Sequence, residues 1–122
     1  MLNDVNCPCL ELGPRRPNAI RERDLGRDET EGRLADVDVI RCARCRRLWL
    51  RYHVEYEAFT GSGRWSAALI DEATAATMTT AMARRFIRAA PWRIVGGSFY
   101  GHAGKRVDSG LDFGTPPDPA SG

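Results

Sequence analysis

All four cysteines of this 122-residue chain lie in two tight pairs, Cys7-Pro8-Cys9 and Cys42-Ala43-Arg44-Cys45. Each pair offers two sulfurs from one turn, so the pairs can converge on a single tetrahedral metal ion. Such a clamp would oblige the start of the chain to return to residues 42–45 whatever else the sequence does. The spacing predicts a structural Zn²⁺ site with Cys7, Cys9, Cys42 and Cys45 as ligands. A redox role would need Cys42 and Cys45 to open a helix, where the dipole stabilises a thiolate; the residues that follow alternate instead like a strand. Bridging Cys7 directly to Cys9 would be strained. The first pair has one intervening residue, where a ribbon knuckle usually has two or more. Were Cys7 not a ligand, an open position would appear and the site could be catalytic rather than structural. The long gap between the pairs is no obstacle. Closing it costs about 3 kcal/mol plus a constant, against roughly 10–16 kcal/mol for structural zinc binding.

The residues around the second pair set the fold class. Along 48–58, Leu48, Leu50, Tyr52, Val54, Tyr56 and Ala58 share one parity, while Trp49, Arg51, His53, Glu55 and Glu57 share the other. That is the period of a half-buried antiparallel strand. Thr60-Gly61-Ser62-Gly63 is turn chemistry, and Arg64 to Ile70 can return as the partner. Residues 37–41 make a further strand, so the Cys42–Cys45 turn would join two adjacent strands as in a zinc-ribbon knuckle. Residues 92–95 can add a short last strand. Between them, residues 71–90 read as one helix. Thr77 or Thr79 would cap it, and Met78, Met82, Phe86 and Ala89, widened by Ile87 and Ala90, would form its apolar stripe. Arg84, Arg85 and Arg88 would complement the dipole near its end, and Pro91 stops it. The expected fold is α+β: a small antiparallel sheet, one packed helix and a zinc-ribbon-like cysteine site.

Two stretches look unstructured. Residues 10–36 mix charges of both signs with Gly and Pro and offer little to a core, so they read as a charged loop with a helical turn near Ile20 to Leu25. Residues 102–122 are polar and rich in Pro and Gly and read as a disordered tail, leaving 1–101 as a single domain. A hydrophobic share of 43% is ordinary for a globular protein, and a net charge of +2 is too small to require a nucleic-acid or membrane partner. With no basic n-region before an apolar stretch, the expected location is cytoplasmic, where thiols stay reduced and favour metal.

Other residues invite functional readings. Arg41, Arg44, Arg46, Arg47 and Arg51 crowd the second knuckle. They can compensate a thiolate-rich metal site, or form a phosphate-binding patch with Trp49 stacking on a base; the nearby Glu55, Glu57, Asp71 and Glu72 dilute their field and favour compensation. His53 and Glu55 point the same way on a strand and, with His102, could form a second metal site or an acid–base pair; surface pairing is the plainer reading. Gly96-Gly97-Ser98 lacks the Gly-Lys-Ser/Thr of a phosphate loop and reads as a bulge or turn.

The run Cys42-Ala43-Arg44-Cys45, then Trp49, Tyr52 and Glu55, then Ser62-Gly63-Arg64-Trp65 and Gly96-Gly97-Ser98-Phe99, resembles a set of small uncharacterised bacterial proteins with a zinc-ribbon-like start. The resemblance covers the middle of the chain and implies no catalytic assignment. The expected function is a non-enzymatic binding module, a bacterial accessory or immunity-type protein recognising another protein. A nucleic-acid-associated zinc protein and a small enzyme using His53 and Glu55 are the alternatives.

Overall fold

Burial on both sides of one strand decides the architecture. Leu48, Leu50, Tyr52 and Val54 enter one apolar cluster, and Trp49, on the opposite parity, enters another. The computed structural model describes residues 7–15, 17–29, 35–54, 63–97 and 102–107, and builds this strand into the middle of a six-stranded sheet. The strands are β1 (Ala19–Asp28), β2 (Ala35–Cys42), β3 (Leu48–Val54), β4 (Arg64–Ile70), β5 (Arg93–Gly97) and β6 (His102–Val107). Each pairs antiparallel with its neighbour in sequence, giving the order β1-β2-β3-β4-β5-β6. The described helices are α1 (Cys9–Leu12), α2 (Glu72–Thr77) and α3 (Thr80–Ala89). The class is α+β, as the alternation and the helical segment require.

One face carries α2 and α3. Val37, Val39, Leu50, Tyr52, Val54, Ala68 and Val95 of the sheet meet Ala75, Met78, Ala83 and Ile87 there. The segment expected as one helix is two, because Met78 and Thr79 are extended and break it. Thr77, Thr79 and Thr80 crowd this junction with β-branched side chains, which lose rotamer freedom in a helix. The break directs Met78 into the core. Asp71 caps α2 by accepting the Thr74 N–H at 2.7 Å. Thr79 holds the N-cap position of α3, but its hydroxyl makes no cap bond, which corrects the expected role. The apolar stripe also shifts: Ala83 and Ile87 face the sheet, whereas Met82 is 52% exposed. Arginines from the sheet finish both helices, Arg23 donating to Ala75 O at 2.5 Å and Arg93 to Ile87 O and Arg88 O at 3.3 and 3.2 Å.

Two expectations are overturned. Residues 10–36 are not one charged loop, since they hold α1 and the ten-residue β1, and the expected helical turn at Ile20 to Leu25 is extended. β1 escapes a hydrophobicity reading because backbone pairing and ion pairs hold it, not an apolar stripe. Arg21 pairs with Asp38, Glu22 with Arg41 and Arg27 with Asp36, all on β2. Residues 102–107 are likewise not tail but the strand β6, paired with β5 across a register shift between Val95 and Gly97. That shift is the expected bulge at Gly96-Gly97. Residues 108–122 lie outside the described residues.

Candidate metal centre

The second cysteine pair sits in the turn between β2 and β3. The N–H of Arg46 donates to Cys42 O at 2.7 Å and the N–H of Cys42 to Arg47 O at 2.9 Å, closing a tight knuckle. Arg46 takes a φ of 69° there, a left-handed conformation that a side chain disfavours. Ala43 N–H reaches Asn18 O at 2.8 Å, so the chain entering β1 is tied to the same turn. The first pair opens α1, whose start is folded by Leu10 N–H on Cys7 O at 3.0 Å.

α1 lies across the sheet face opposite α2 and α3. Trp92 Nε1 donates to Leu10 O at 2.7 Å. Gly13 ends α1 at a φ of 80°, and a Cβ there would meet the Trp65 ring at 2.6 Å, so only glycine lets the chain pass over that indole. Leu12 O lies directly over Gly104 of β6. Cys7 and Cys9 are therefore delivered to the knuckle by a helix turn braced on β4, β6 and Trp92.

The result is a convergence of all four sulfurs. Cys7 Sγ lies 3.7 Å from Cys42 Sγ, Cys9 Sγ lies 3.4 Å from Cys45 Sγ, and all four are within 4.8 Å of one another. A tetrahedral ion with metal–sulfur bonds of about 2.3 Å needs sulfurs about 3.8 Å apart. The observed spacing matches that size, and it is far beyond the roughly 2.0 Å of a disulfide. All four cysteines are buried free thiols, packed with Ile40, Trp49, Ala67 and Ile94. The set has the donor chemistry and dimensions to hold a metal ion.

The electrostatics are uneven. Burial pushes the Cys7 and Cys9 thiols up, and for Cys9 the contact with Cys45 adds to the rise. Burial also acts on Cys45, but there the backbone N–H and guanidinium of Arg47 donate to the sulfur and prevail, holding the thiol down to about 7. Arg47 is raised in turn by the same contact. A thiolate at Cys45 is thus available near neutrality, and deprotonated sulfur is the form that binds metal.

The remaining candidates fare differently. Trp49 is 0% exposed beneath this face, so it cannot stack on a base; the alternation placed it correctly but missed that α1 and the cysteines cover it. The knuckle arginines do not form one open patch. Arg41 spans Glu22 and Glu72 at 2.5 and 2.6 Å. Arg51 grips the buried Asp38 through Nε at 3.0 Å and Nη2 at 2.8 Å, Arg47 turns to Cys45, and Arg44 and Arg46 are exposed in the turn. His53 pairs in register with Asp36 and Trp65, while Glu55 and the side chain of His102 lie outside the described residues. Trp65 and Trp92, which the sequence assigns to the core, pack against the cysteine cluster, but sequence reasoning missed that they and Gly104 brace α1. The glycine in an otherwise strand-like run is the one local signal that could have marked a close backbone approach.

Fold and site together define a class: an α+β chain with a buried four-thiol cluster between its first turn and the β2–β3 knuckle. Comparison with protein-family models, curated proteins and solved structures finds no match to this chain. Among the described residues, no helix is long and apolar enough to cross a membrane.

Proposed function

We propose that this chain is a zinc-stabilised, non-enzymatic binding module that recognises another protein. The observation that carries the reading is the donor set: four buried thiols at tetrahedral spacing. Four sulfurs complete the coordination of Zn²⁺ and leave no position for water or substrate, which is the pattern of structural rather than catalytic zinc. Thiolate softness favours zinc or iron over magnesium or calcium. In this reading the metal fastens α1 and the entry to β1 onto the knuckle in a zinc-ribbon-like arrangement, and the sheet becomes a rigid scaffold for a partner. The compact scaffold, with no catalytic constellation assembled among the described residues, supports an accessory or immunity-type role.

Elemental analysis of protein purified without added metal should give about one zinc per chain. Chelation should lower the melting temperature, because metal binding and folding are coupled. Protein that carries iron, or none of either metal with unchanged stability, would exclude the zinc reading. Affinity capture from the native host, comparing the metal-loaded chain with a Cys42→Ser/Cys45→Ser variant, tests the partner. A protein retained only by the metal-loaded form is expected; turnover of a small substrate with no captured protein would overturn the binding role.

A further inference from the structure

We infer that the groove between α3 and the end of β1, lined by Arg84, Arg85, Arg88, Ala81, Ala89 and Asp28, binds a polyvalent oxyanion. It is an open cavity of about 530 Å³ on the helix-covered side of the sheet, away from the cysteines. Its charge is not explained by the fold. In the β1–β3 region Arg21, Arg23, Arg27, Arg41 and Arg51 each have an acidic or backbone partner, whereas no ion pair among the described residues involves Arg84, Arg85 or Arg88. α3 contains no acidic residue, so none of the three can pair along its own helix. Arg84 and Arg88 stand four residues apart, where like charges repel and weaken a helix. Arg85 and Arg88 are exposed and Arg84 is half-buried, so the three guanidinium-bearing side chains border the cavity from one helix.

Two bland explanations fail on the same geometry. Arg88 is not needed to cap α3, because Arg93 already donates to Ile87 O and Arg88 O. Asp28 is buried and accepts the Tyr52 hydroxyl at 2.6 Å, so this carboxylate is held from the core side. Ala81 and Ala89, each four residues from Arg85, keep the groove open beside it. Guanidinium forks match the paired oxygens of phosphate and carboxylate groups. Among the described residues no aromatic side chain lines the groove, so they supply no stacking platform of the kind a single-stranded nucleic-acid site uses. The ligand class is therefore a compact anion carrying several oxygens, a phosphoryl or a polycarboxylate compound.

The test is titration of the full chain as purified with inorganic pyrophosphate and, separately, with citrate, at ionic strength held constant with sodium chloride. Calorimetry and the amide resonances of α3 give the readout. Saturable binding of either probe is expected, weakened about tenfold or more in Arg84→Gln/Arg88→Gln, as loss of charge-assisted bonds requires. Arg46→Gln, an exposed cation on the far turn, should leave affinity unchanged. A preference for pyrophosphate assigns a phosphoryl ligand, and a preference for citrate a carboxylate one. If the double variant does not fold, the exposed Arg85→Gln gives the same test with a smaller loss. A non-saturating response, or equal weakening by Arg46→Gln, would overturn the site. Because pyrophosphate and citrate also chelate zinc, only changes in the α3 resonances that the arginine variants weaken count as binding here, which keeps this test apart from that of the metal centre.

Discussion

The carbonyl of Leu12, at the end of α1, faces Gly104 of β6 so closely that a Cβ at position 104 would overlap it. Gly104 touches no sulfur, yet it sets the height at which α1, and with it Cys9, lies on the sheet. Gly104→Ala should lift α1, destabilise the fold by about 1–3 kcal/mol as overpacking does, and hand its metal to a competing chelator at lower chelator concentration than the parent. Competition against a chromogenic chelator reads this directly. Unchanged metal retention would mean that α1 is positioned by the cysteines alone.

The left-handed φ of 69° at Arg46 makes a graded prediction. Glycine relieves the strain but loosens the unfolded chain, so Arg46→Gly should change stability by less than about 1 kcal/mol. A β-branched residue has no such relief, and Arg46→Val should cost about 1–3 kcal/mol. Denaturant melts of the metal-loaded proteins should rank glycine and arginine together, above valine.

Arg47 holds the Cys45 thiol down to about 7, against an ordinary value of 9.0. A depressed acid contributes stability that is fully present above its unfolded value and lost as pH falls through the folded one. Metal-free protein should therefore gain stability as pH rises from about 7 to about 9, the window set by those two values. Arg47→Ala should flatten that rise and move the first thiolate absorbance change to higher pH. The same variant should bind metal more weakly near neutrality, since more protons must be displaced.

On the acidic side the relevant group is Glu22, lowered from 4.5 chiefly by its hydrogen bond from Arg41. Its contribution is present above the ordinary carboxylate value and disappears as pH falls through the lowered one. Glu22→Gln should make the acid limb of the melting-temperature profile shallower and leave the neutral region almost unchanged. A profile parallel to the parent at low pH would show that this exposed pair carries no weight.

The phase of α3 separates two apolar residues. Ile87 is fully buried against the sheet and Met82 is half exposed. Ile87→Ala should cost about 2–5 kcal/mol from lost burial and the cavity left behind, while Met82→Ala should stay within about 0.5 kcal/mol. Chemical denaturation of the pair checks the helix rotation.

What the sequence made legible follows from how each element is held. β3 announces itself by its alternation, β4 by the turn residues that return the chain alongside it, and the cysteine pairs because ligand spacing is local. β1 and β6 do not, because partners elsewhere in the chain stabilise them: β1 through salt bridges to β2, β6 through pairing with β5 and contact with α1. The polarity of Arg51 and His53 suggested an open face around Trp49, but whether a strand face is open depends on a segment some forty positions away. The two-helix break at Met78 and Thr79 was also hidden, since the same residues are compatible with one helix until the sheet claims Met78.

β1 is a margin of the sheet: among the described residues no strand lies beside its outer backbone groups. A long, flat, apolar strand in that position would recruit a strand from another molecule. Here Arg21, Glu22, Arg23, Asp24, Arg27 and Asp28 occupy six of its ten positions, and register shifts interrupt it between Arg21 and Arg23 and between Asp24 and Gly26. Charge and irregularity together make that margin a poor template for further pairing. The composition that disguises β1 as a loop is what stops the sheet from growing past it.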